Sequence, residues 1–483
     1  MPSAPAEIKP EASTRLPVWL KLVYGSGDFG LSSIGMMRSI FYAIFLTDVV
    51  GLDPRLASFG ALVGIIWDAI NDPLVGILSD RARSPFGRRR IFLLVFAVPF
   101  GISFVLLWTT PPWDNQLALL VFVTLTFMLV DTLSTLVSVP FLALTPEITK
   151  GYDERTALAG FRTIFQISGQ FCVVVFVPMI VDRAIESGLS QQQGLMISGG
   201  MFGLIAIISY LSITFSIKED PNSAYPDRIP VLTTLKTAWQ NIPFRYAVGI
   251  YLLNGSAVDL AAVIFPFFLL YWVSRGDLLA KTNLFGYDLA LESAFFGVLM
   301  LFAAIALPFW MRFSRGRNKQ MAYVYGILFF CLVEVFIYMV QPGQMNRLLV
   351  LGALAGIGLS AAYILPDSIF PDIIEWDELR TRKRQEGIYY GARAFIRKFT
   401  GALVMFVALQ ALGWAKYQTP PHDAVQFSQS ASALRMIRLL VSPVAASMFL
   451  IAAGIAFFYP LTRDKHARIQ RLLAKRNQTS SKL

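Results

Sequence analysis

Twelve separate stretches of this chain are long and apolar enough to cross a lipid bilayer as helices. A helix of about 20 apolar residues covers the roughly 30 Å of a hydrocarbon core. Only 15% of the 483 residues are charged and 55% are apolar, whereas a soluble domain carries about 25% charge. The sequence therefore predicts an all-α integral membrane protein with twelve transmembrane helices, spans 1 to 12. We place them near residues 19–50, 56–80, 90–110, 116–148, 158–184, 195–217, 244–274, 290–313, 322–341, 346–374, 388–414 and 437–461.

Basic residues are concentrated in the loops on one side of the predicted bundle. The loops "RARSPFGRRR", "SRGRNK" and "RTRKR", and the tail 462–483, are all basic. The opposite loops, such as "GLDPR" and "PPWDN", carry at most one basic residue each. The positive-inside rule therefore places the tail and the N-terminal segment 1–18 in the cytoplasm. Because orientation explains the net charge of +11, we expect no nucleic-acid partner.

Neither terminus carries a recognisable targeting signal. The N-terminal segment lacks the pattern of a cleaved signal peptide, and its short polar character favours a bacterial inner membrane. Cys172 and Cys331 both fall within predicted spans, so no disulfide framework is implied. We expect a chain that functions as a monomer.

The two halves of the chain repeat one another. Three landmarks recur at offsets of 226 to 231 residues: "DR" at 80–81 with "MR" at 311–312, Pro140 with Pro366, and "GFR" at 160–162 with "GAR" at 391–393. Two parallel six-helix bundles, 19–217 and 244–461, joined by a cytoplasmic linker at 218–243, are the arrangement of secondary transporters with the major facilitator fold. The substrate site is then expected between the halves.

Ionisable groups within the spans indicate where the chemistry lies, since each is costly in hydrocarbon without a partner. In "WDAINDP", Asp68 and Asp72 share one helix face and Asn71 lies beside them. Two close carboxylates repel one another unless a cation or a shared proton lies between them, and oxygen ligands suit hard cations such as Na⁺. The alternative is that these residues cap a hydrated helix end or pair with basic neighbours.

Span 11 carries three cationic residues, Arg393, Arg397 and Lys398. Lys398 lies about ten residues into the helix, roughly 15 Å from its start, so its side chain needs an anionic partner. The span 2 aspartates are the obvious partners, and such a contact would couple ion occupancy to conformation. The alternative is a static structural ion pair.

Other polar residues of the spans each have two explanations, substrate contact and a structural role. Asp28 and Arg38 lie in span 1, Asp131 in span 4 and Asp259 in span 7, and a structural ion pair is at least as good an explanation for each. Tyr390 belongs to a set of aromatic residues that could line a cavity, although helix packing explains them equally well.

The two arginine-rich loops are expected to latch the cytoplasmic side closed in part of a transport cycle. The residues assigned to this latch are Asp80, Arg81 and Arg88 after span 2 and Arg312 after span 8. The alternative for the first loop is that its charges only set the membrane orientation.

Four stretches, "KLVYGSGDFG…FLTDVVGL", "WDAINDPLVGILSD", "VPFLALTPEIT" and "PDIIEWDE…EGIYYG…RKFTG", resemble the glycoside–pentoside–hexuronide:cation symporters over nearly the whole chain. The resemblance implies a cation site at Asp68, Asn71 and Asp72, completed by Thr135 of span 4. It also implies that Lys398 takes part in cation coupling.

The sugar site of that family is matched poorly. Positions that carry sugar-binding aspartates in the family are Ser32 and Ser138 here, and a tryptophan is replaced by Leu142. A sugar-contacting arginine is offset by one residue from Arg162, and Asp28 lies one turn from Ser32. We therefore assign the substrate site to this set: Asp28, Ser32, Ser138, Arg162, Arg393 and Tyr390. The basic members would suit an anionic substrate.

The expected function is cation-coupled symport of a glycoside, pentoside or hexuronide, with Na⁺, Li⁺ or H⁺ as the coupling ion and no other cofactor. A lysolipid transporter is the alternative, because the replacement of sugar-binding acids is compatible with a less polar cargo. A sensor that uses the same fold without transport is a further alternative. An enzyme is not expected, since the two histidines, His422 and His466, lie in a loop and in the tail.

Overall fold

The computed structural model describes residues 16–149, 152–217, 239–284, 286–315, 317–381, 386–421 and 426–480. Most of the predicted N-terminal segment and of the linker lie outside these residues. Within them, twelve helices are long and apolar enough to cross a membrane. The fold class and the number of spans are therefore as the sequence predicts.

The spans lie close to their predicted positions, with differences of up to seven residues at the ends. Their helices are Val18–Ile44, Pro54–Arg81, Arg90–Leu107, Gln116–Ile148, Tyr152–Glu186, Gln191–Ser216, Ile242–Phe267, Leu291–Arg315, Lys319–Tyr338, Met345–Asp367 and Glu386–Trp414, followed for span 12 by Ala431–Leu439 and Ala445–Phe457. Short π-helical segments continue spans 1 and 7 and interrupt span 12, at Phe45–Val49, Phe268–Val273 and Leu440–Val444.

Helix packing divides the spans into two groups of six. In the first group, span 1 packs on spans 5 and 6, and span 3 packs on spans 4 and 6. In the second, span 7 packs on spans 11 and 12, and span 10 packs on spans 8 and 9. Across the boundary, span 2 meets span 11, span 5 meets span 8, and span 1 meets span 7. The repeat seen in the sequence is thus a repeat of helix packing.

Glycine allows close contact between spans 3 and 6. A Cβ atom on Gly203 would lie 2.6 Å from the carbonyl oxygen of Gly101, closer than a real side chain can approach. Small residues at helix contacts are the usual means of close packing in membranes, where hydrophobic attraction between helices is weak.

Span 10 ends at Asp367, earlier than the predicted residue 374, and a separate helix follows at Phe370–Thr381. Pro371 has no amide hydrogen to donate to the carbonyl of residue 367, which explains the break. Proline is well tolerated in the first turn of the new helix. A second unpredicted element is a hairpin between spans 7 and 8, in which β1 (Lys281–Leu284) pairs antiparallel with β2 (Tyr287–Ala290).

A basic helix at Arg463–Ser480 packs against Phe370–Thr381. Ile469 and Leu473 are buried, and His466 Nε2 lies 2.8 Å from Glu375 Oε2. Because the number of spans is even, this helix and the start of span 1 lie on the same side of the bundle. We call that side the terminal face and the other the opposite face.

Candidate functional site

The centre of the site is one ammonium group held between two carboxylates from the other half of the molecule. Asp68 and Asp72 lie one turn apart on span 2, so both side chains point towards span 11. Lys398 Nζ donates to Asp68 Oδ1 at 2.9 Å and also to Asp72 Oδ2. Their side chains are 48% exposed for Lys398, 18% for Asp68 and 32% for Asp72, so water and ions have access. The predicted contact is therefore present.

Span 4 supports the same carboxylates. Thr135 is buried and its hydroxyl donates to Asp72 Oδ1 at 3.2 Å. Trp67 Nε1 donates to Thr132 Oγ1 at 2.9 Å, which fixes span 2 against span 4. Asn71 is only 5% exposed, and within the described part of the chain its Nδ2 has no hydrogen-bond partner. Of the four residues that the sequence assigns to the cation site, Asp68, Asp72 and Thr135 are thus connected through hydrogen bonds, and Asn71 is buried beside Asp72 on the same helix.

These residues fit a small hard cation. Asp68, Asp72 and Thr135 offer carboxylate and hydroxyl oxygens, the ligand type that Na⁺ accepts. The Lys398 ammonium occupies the position between the carboxylates, where a cation of like charge would have to lie. A cation bound by these carboxylates would therefore compete with the ammonium for the same pair of oxygens.

Each half also contains a two-pronged arginine–aspartate pair. In the first half, Arg162 of span 5 donates to both oxygens of Asp28 on span 1, at 2.5 and 3.1 Å. In the second half, Arg397 of span 11 donates to both oxygens of Asp259 on span 7, with Nη2 at 2.7 Å from Oδ1. Asp28 and Asp259 are 231 residues apart, whereas Arg162 and Arg397 are 235 apart. The aspartates therefore follow the internal repeat, and the second arginine lies one turn beyond Arg393, the repeat counterpart of Arg162. Such pairs fix both partners in position.

Two further ion pairs join helices within one half: Arg393–Asp367 joins spans 11 and 10, and Arg38–Asp131 joins spans 1 and 4. Arg393 Nη2 is 2.5 Å from Asp367 Oδ1, and its guanidinium lies about 5 Å from the ring centres of Tyr251 and Phe370. Arg38 Nη1 is 3.5 Å from Asp131 Oδ1. The sequence analysis located Arg393, Arg38 and Asp131 but assigned no partners to them and did not single out Asp367.

The other residues assigned to substrate are spread over several environments. Ser32 donates to the carbonyl oxygen of Gln166 at 3.0 Å, which connects span 1 to span 5. Ser138 is half-buried on span 4, and Leu142, one turn away, is exposed. The side chain of Tyr390 lies outside the described part of the structure. Arg162 also lies 5.4 Å from the ring centre of Phe141, so the span 1–span 5 contact has an aromatic wall.

The predicted latch residues are on the terminal face. The side chains of Arg81 and Arg312 are exposed, and Arg88 has interaction partners. The side chain of Asp80 is outside the described part of the structure. The latch stays a prediction.

On the opposite face, an acidic clasp that the sequence did not reveal joins the halves. Asp48, at the end of span 1, accepts hydrogen bonds from Tyr271 and Tyr417, each at 2.5 Å, and from Thr47 at 2.7 Å. Burial and the adjacent Asp48 raise the pKa of the Tyr417 phenol well above its ordinary value, so the phenol stays protonated and donates. The only sequence signal is an aspartate at the end of an apolar span, which is too common to be diagnostic.

Other contacts between the halves lie on the same side of the molecule. Gln410 Nε2 donates to Ser58 Oγ at 2.8 Å, and Ser293 Oγ donates to the carbonyl oxygen of Val175 at 2.8 Å. Lys281 on the hairpin pairs with Glu186, and this hydrogen bond raises the pKa of the lysine. These contacts connect the halves from the opposite face to the level of Lys398.

A bundle of two six-helix groups with an ion-paired interface defines a membrane transporter of the major facilitator fold, and solved structures agree. The xylose transporter XylE of E. coli, in an inward-open conformation, superposes with a TM-score of 0.59, covering 94% of this chain and 99% of that one at 13% identity. The nucleoside transporter NupG gives a TM-score of 0.61 over 91% of this chain and its whole length, at 12% identity.

The chain belongs to the MFS/sugar transport protein family, whose model matches residues 23–463. An uncharacterised symporter of Synechocystis is 29% identical over 97% of this chain and 99% of its own length. The sodium-dependent lysophosphatidylcholine symporter 1-A of Danio rerio is 26% identical over 94% of this chain and 88% of its own length. The protein is therefore a multi-pass membrane transporter, and both its family and its fold are those of transporters, not enzymes.

Proposed function

We propose that this protein is a cation-coupled symporter, in which Asp68 and Asp72 bind the coupling ion and Lys398 reports its presence. The observation that carries the proposal is the shared contact of one ammonium with both carboxylates across the interface. A cation that enters must displace the ammonium, and displacement removes one of the contacts between span 11 and span 2, which Gln410 and Ser58 also join. Ion binding and movement of the halves are then one event.

The transport cycle follows from which contacts hold the halves together. In the conformation described, the Asp48 clasp and the Gln410–Ser58 contact join them on the opposite face. We infer that substrate and ion exchange with the terminal face in this state, and that the positive-inside rule makes this face cytoplasmic. The alternate state requires the clasp to open and the terminal face to close, with the arginine loops as the latch.

The substrate is proposed first as a sugar or glycoside, in keeping with the resemblance of the motifs to glycoside–pentoside–hexuronide:cation symporters. A lysolipid is the second candidate, supported by the sodium-dependent lysophosphatidylcholine symporters among the relatives. Exposed Leu142 and the uncharged Ser32 and Ser138 favour a cargo with an apolar part. Na⁺ is the proposed coupling ion, because the lysophosphatidylcholine symporters among the relatives are sodium-dependent. H⁺ is the alternative at the same carboxylates.

The test is calorimetric titration of the purified protein with Na⁺ at several pH values. We expect saturable binding that Asp68→Asn and Asp72→Asn each abolish. Asp53→Asn is the matched control, since this aspartate caps the start of span 2 and is not part of the interface site. Na⁺ binding that survives both site mutations would refute the assignment of the ion site.

Transport then separates the substrate candidates. Na⁺ uptake into liposomes should be stimulated by sugars if the first candidate is correct and by lysolipids if the second is. Proton movement instead of Na⁺ uptake, abolished by the same aspartate mutations, would identify H⁺ as the coupling ion. If no sugar or lysolipid stimulates any ion movement, the symport proposal is wrong.

A further inference from the structure

We infer that Asp131 on span 4 is a positioning residue that receives the ammonium of Lys398 when the coupling ion takes its place between the two span 2 aspartates. This inference rests on the proposed function and adds a residue to it. An ammonium that leaves two carboxylates within a membrane protein needs another anionic partner or water. The structure contains a carboxylate suited to that purpose beside the ion site.

Asp131 lies next to the ion site on the same helix as Thr135. It comes one turn before Thr135, whose hydroxyl donates to Asp72, so the two side chains lie on one face of span 4. Asp131 is also within electrostatic range of Asp68, Asp72 and Lys398. The carboxylate and the ammonium therefore belong to one electrostatic environment, although they come from different halves.

One oxygen of the Asp131 carboxylate has no partner. The residue is only 6% exposed, and its Oδ2 lacks a hydrogen-bond donor among the residues that the structure describes. The other oxygen, Oδ1, is 3.5 Å from Arg38 Nη1, which is long for a hydrogen bond. Because a buried acceptor without a donor is costly, Asp131 stands to gain from a second cationic partner.

Arg38 does not satisfy this carboxylate fully. It makes a single contact with Asp131, whereas Arg162 makes two with Asp28. Its guanidinium also lies 5.0 Å from the ring centre of Phe127, one turn before Asp131 on span 4. Arg38 is thus shared between a ring and a carboxylate, and it leaves one carboxylate oxygen available.

Lys398 is able to change partners. Its ammonium lies on a flexible four-carbon stem, and the side chain is 48% exposed. In the conformation described, Asp131 pairs with Arg38 and the ammonium pairs with the span 2 aspartates. A cation in the present place of the ammonium therefore lies beyond direct coordination by Asp131. It repels the ammonium towards an acceptor that is still unsatisfied.

The transfer gives ion binding a specific structural result. Lys398 exchanges a contact with span 2 for a contact with span 4, and both helices belong to the first half. The ammonium keeps a counter-ion throughout, which avoids the cost of an unpaired charge. Ion binding then changes which helix of the first half is paired with span 11.

A double-mutant cycle on the purified full-length chain measures the role of Asp131. The Kd for Na⁺ is determined by calorimetric titration for the wild type, Asp131→Asn, Lys398→Gln and Asp131→Asn/Lys398→Gln. With the lysine present, Asp131→Asn should raise the Kd by about three- to ten-fold, because the displaced ammonium loses its acceptor. In the Lys398→Gln background the loss should be clearly smaller, since no ammonium has to be accommodated.

Other roles of Asp131 predict a different pattern. A ligand of the cation, or a carboxylate that acts at a distance, attracts Na⁺ in both backgrounds. Asp131→Asn would then weaken Na⁺ binding at least as much without Lys398 as with it. A purely structural role would lower the melting temperature and affect both backgrounds alike. Asp131→Glu is the matched control, since it keeps the carboxylate and should retain most of the Na⁺ affinity.

A second variant covers the case in which Asp131→Asn does not fold. Arg38→Gln then takes its place in the cycle. It removes the cation that competes for Asp131, so the carboxylate accepts the ammonium more readily. Na⁺ binding should become stronger, and the increase should be larger with Lys398 than in the Lys398→Gln background. An equal or smaller increase would count against the acceptor role.

The outcomes separate this inference from the proposed function. Suppose that Asp68→Asn abolishes Na⁺ binding while Asp131→Asn has no effect, or has an equal effect in both backgrounds. The acceptor role would then be overturned and the ion site would stand. Absence of Na⁺ binding by the wild type would refute the Na⁺ site and this inference together.

Discussion

Replacing Lys398 with glutamine should strengthen cation binding, because the ammonium and the cation compete for the same oxygens. The Lys398–Asp68 contact is 2.9 Å long. Coulomb's law gives about 1.4 kcal/mol at that distance in water and about 6 kcal/mol at an effective dielectric constant of 20. Because the lysine side chain is half exposed, the lower end applies, at about 1.4 to 2 kcal/mol. The Kd for Na⁺ should fall by about 10- to 30-fold.

The increase in Na⁺ affinity of the Lys398→Gln variant should depend on pH. Protons and Na⁺ compete for carboxylate oxygens. A proton on either carboxylate opposes Na⁺, so the improvement should be largest at alkaline pH and should shrink as the pH falls. Transport should nevertheless weaken in this variant, since the group that links ion occupancy to the interface is gone.

Calorimetric Na⁺ titration at pH 6, 7 and 8.5 measures both effects. Lys319→Gln is the matched control: it removes a lysine that pairs with Asp372 at 2.8 Å on the terminal face and should leave the Na⁺ affinity unchanged. Unaltered or weaker Na⁺ binding by Lys398→Gln at alkaline pH would refute the competition argument. Lys398 would then be a structural partner of the two aspartates.

Three further predictions test other parts of the structure. Thr135→Val removes the hydroxyl that donates to the second aspartate and should weaken Na⁺ binding several-fold in the same titration, with recovery in Thr135→Ser. Tyr417→Phe removes one hydrogen bond to Asp48, which is worth about 1.5 to 3 kcal/mol for a charged acceptor. Spin-label distances between the halves should therefore show at least ten-fold more of the state that is open on the opposite face. Unchanged distances would count against the clasp. Gly203→Ala places a methyl group 2.6 Å from a backbone oxygen and should lower the melting temperature by several degrees, whereas Gly454→Ala, with open space around it, should not.

The sequence predicted the spans well because apolar length is a local property. Their number, order and approximate limits follow from the hydrocarbon thickness alone. The break after Asp367 was missed because its cause, Pro371, lies in a stretch that remains apolar enough to continue the span. The hairpin was missed because its strands contain only four residues each.

The contact of Lys398 with Asp68 and Asp72 was also predictable, since the two aspartates share a helix face by their spacing and Lys398, about ten residues into its span, needs an anionic partner. The arginine–aspartate pairs could not be predicted from the sequence, because each partner depends on how helices from distant parts of the sequence are arranged. Asp259 and Arg397 are 138 residues apart. Asp48 was missed for the same reason: its partners come from the other half of the chain.

The twin arginine–aspartate pairs have a mechanical consequence. Each pair connects the first helix of its half to the fifth, through Asp28 and Arg162 in one half and through Asp259 and Arg397 in the other. Separating either pair would leave charges unpaired in the membrane, so bending within a half costs free energy. Rotation of one rigid half against the other costs less, and we expect it to be the main motion. In the proposed mechanism, displacement of Lys398 by the coupling ion would remove one contact that holds the two halves together.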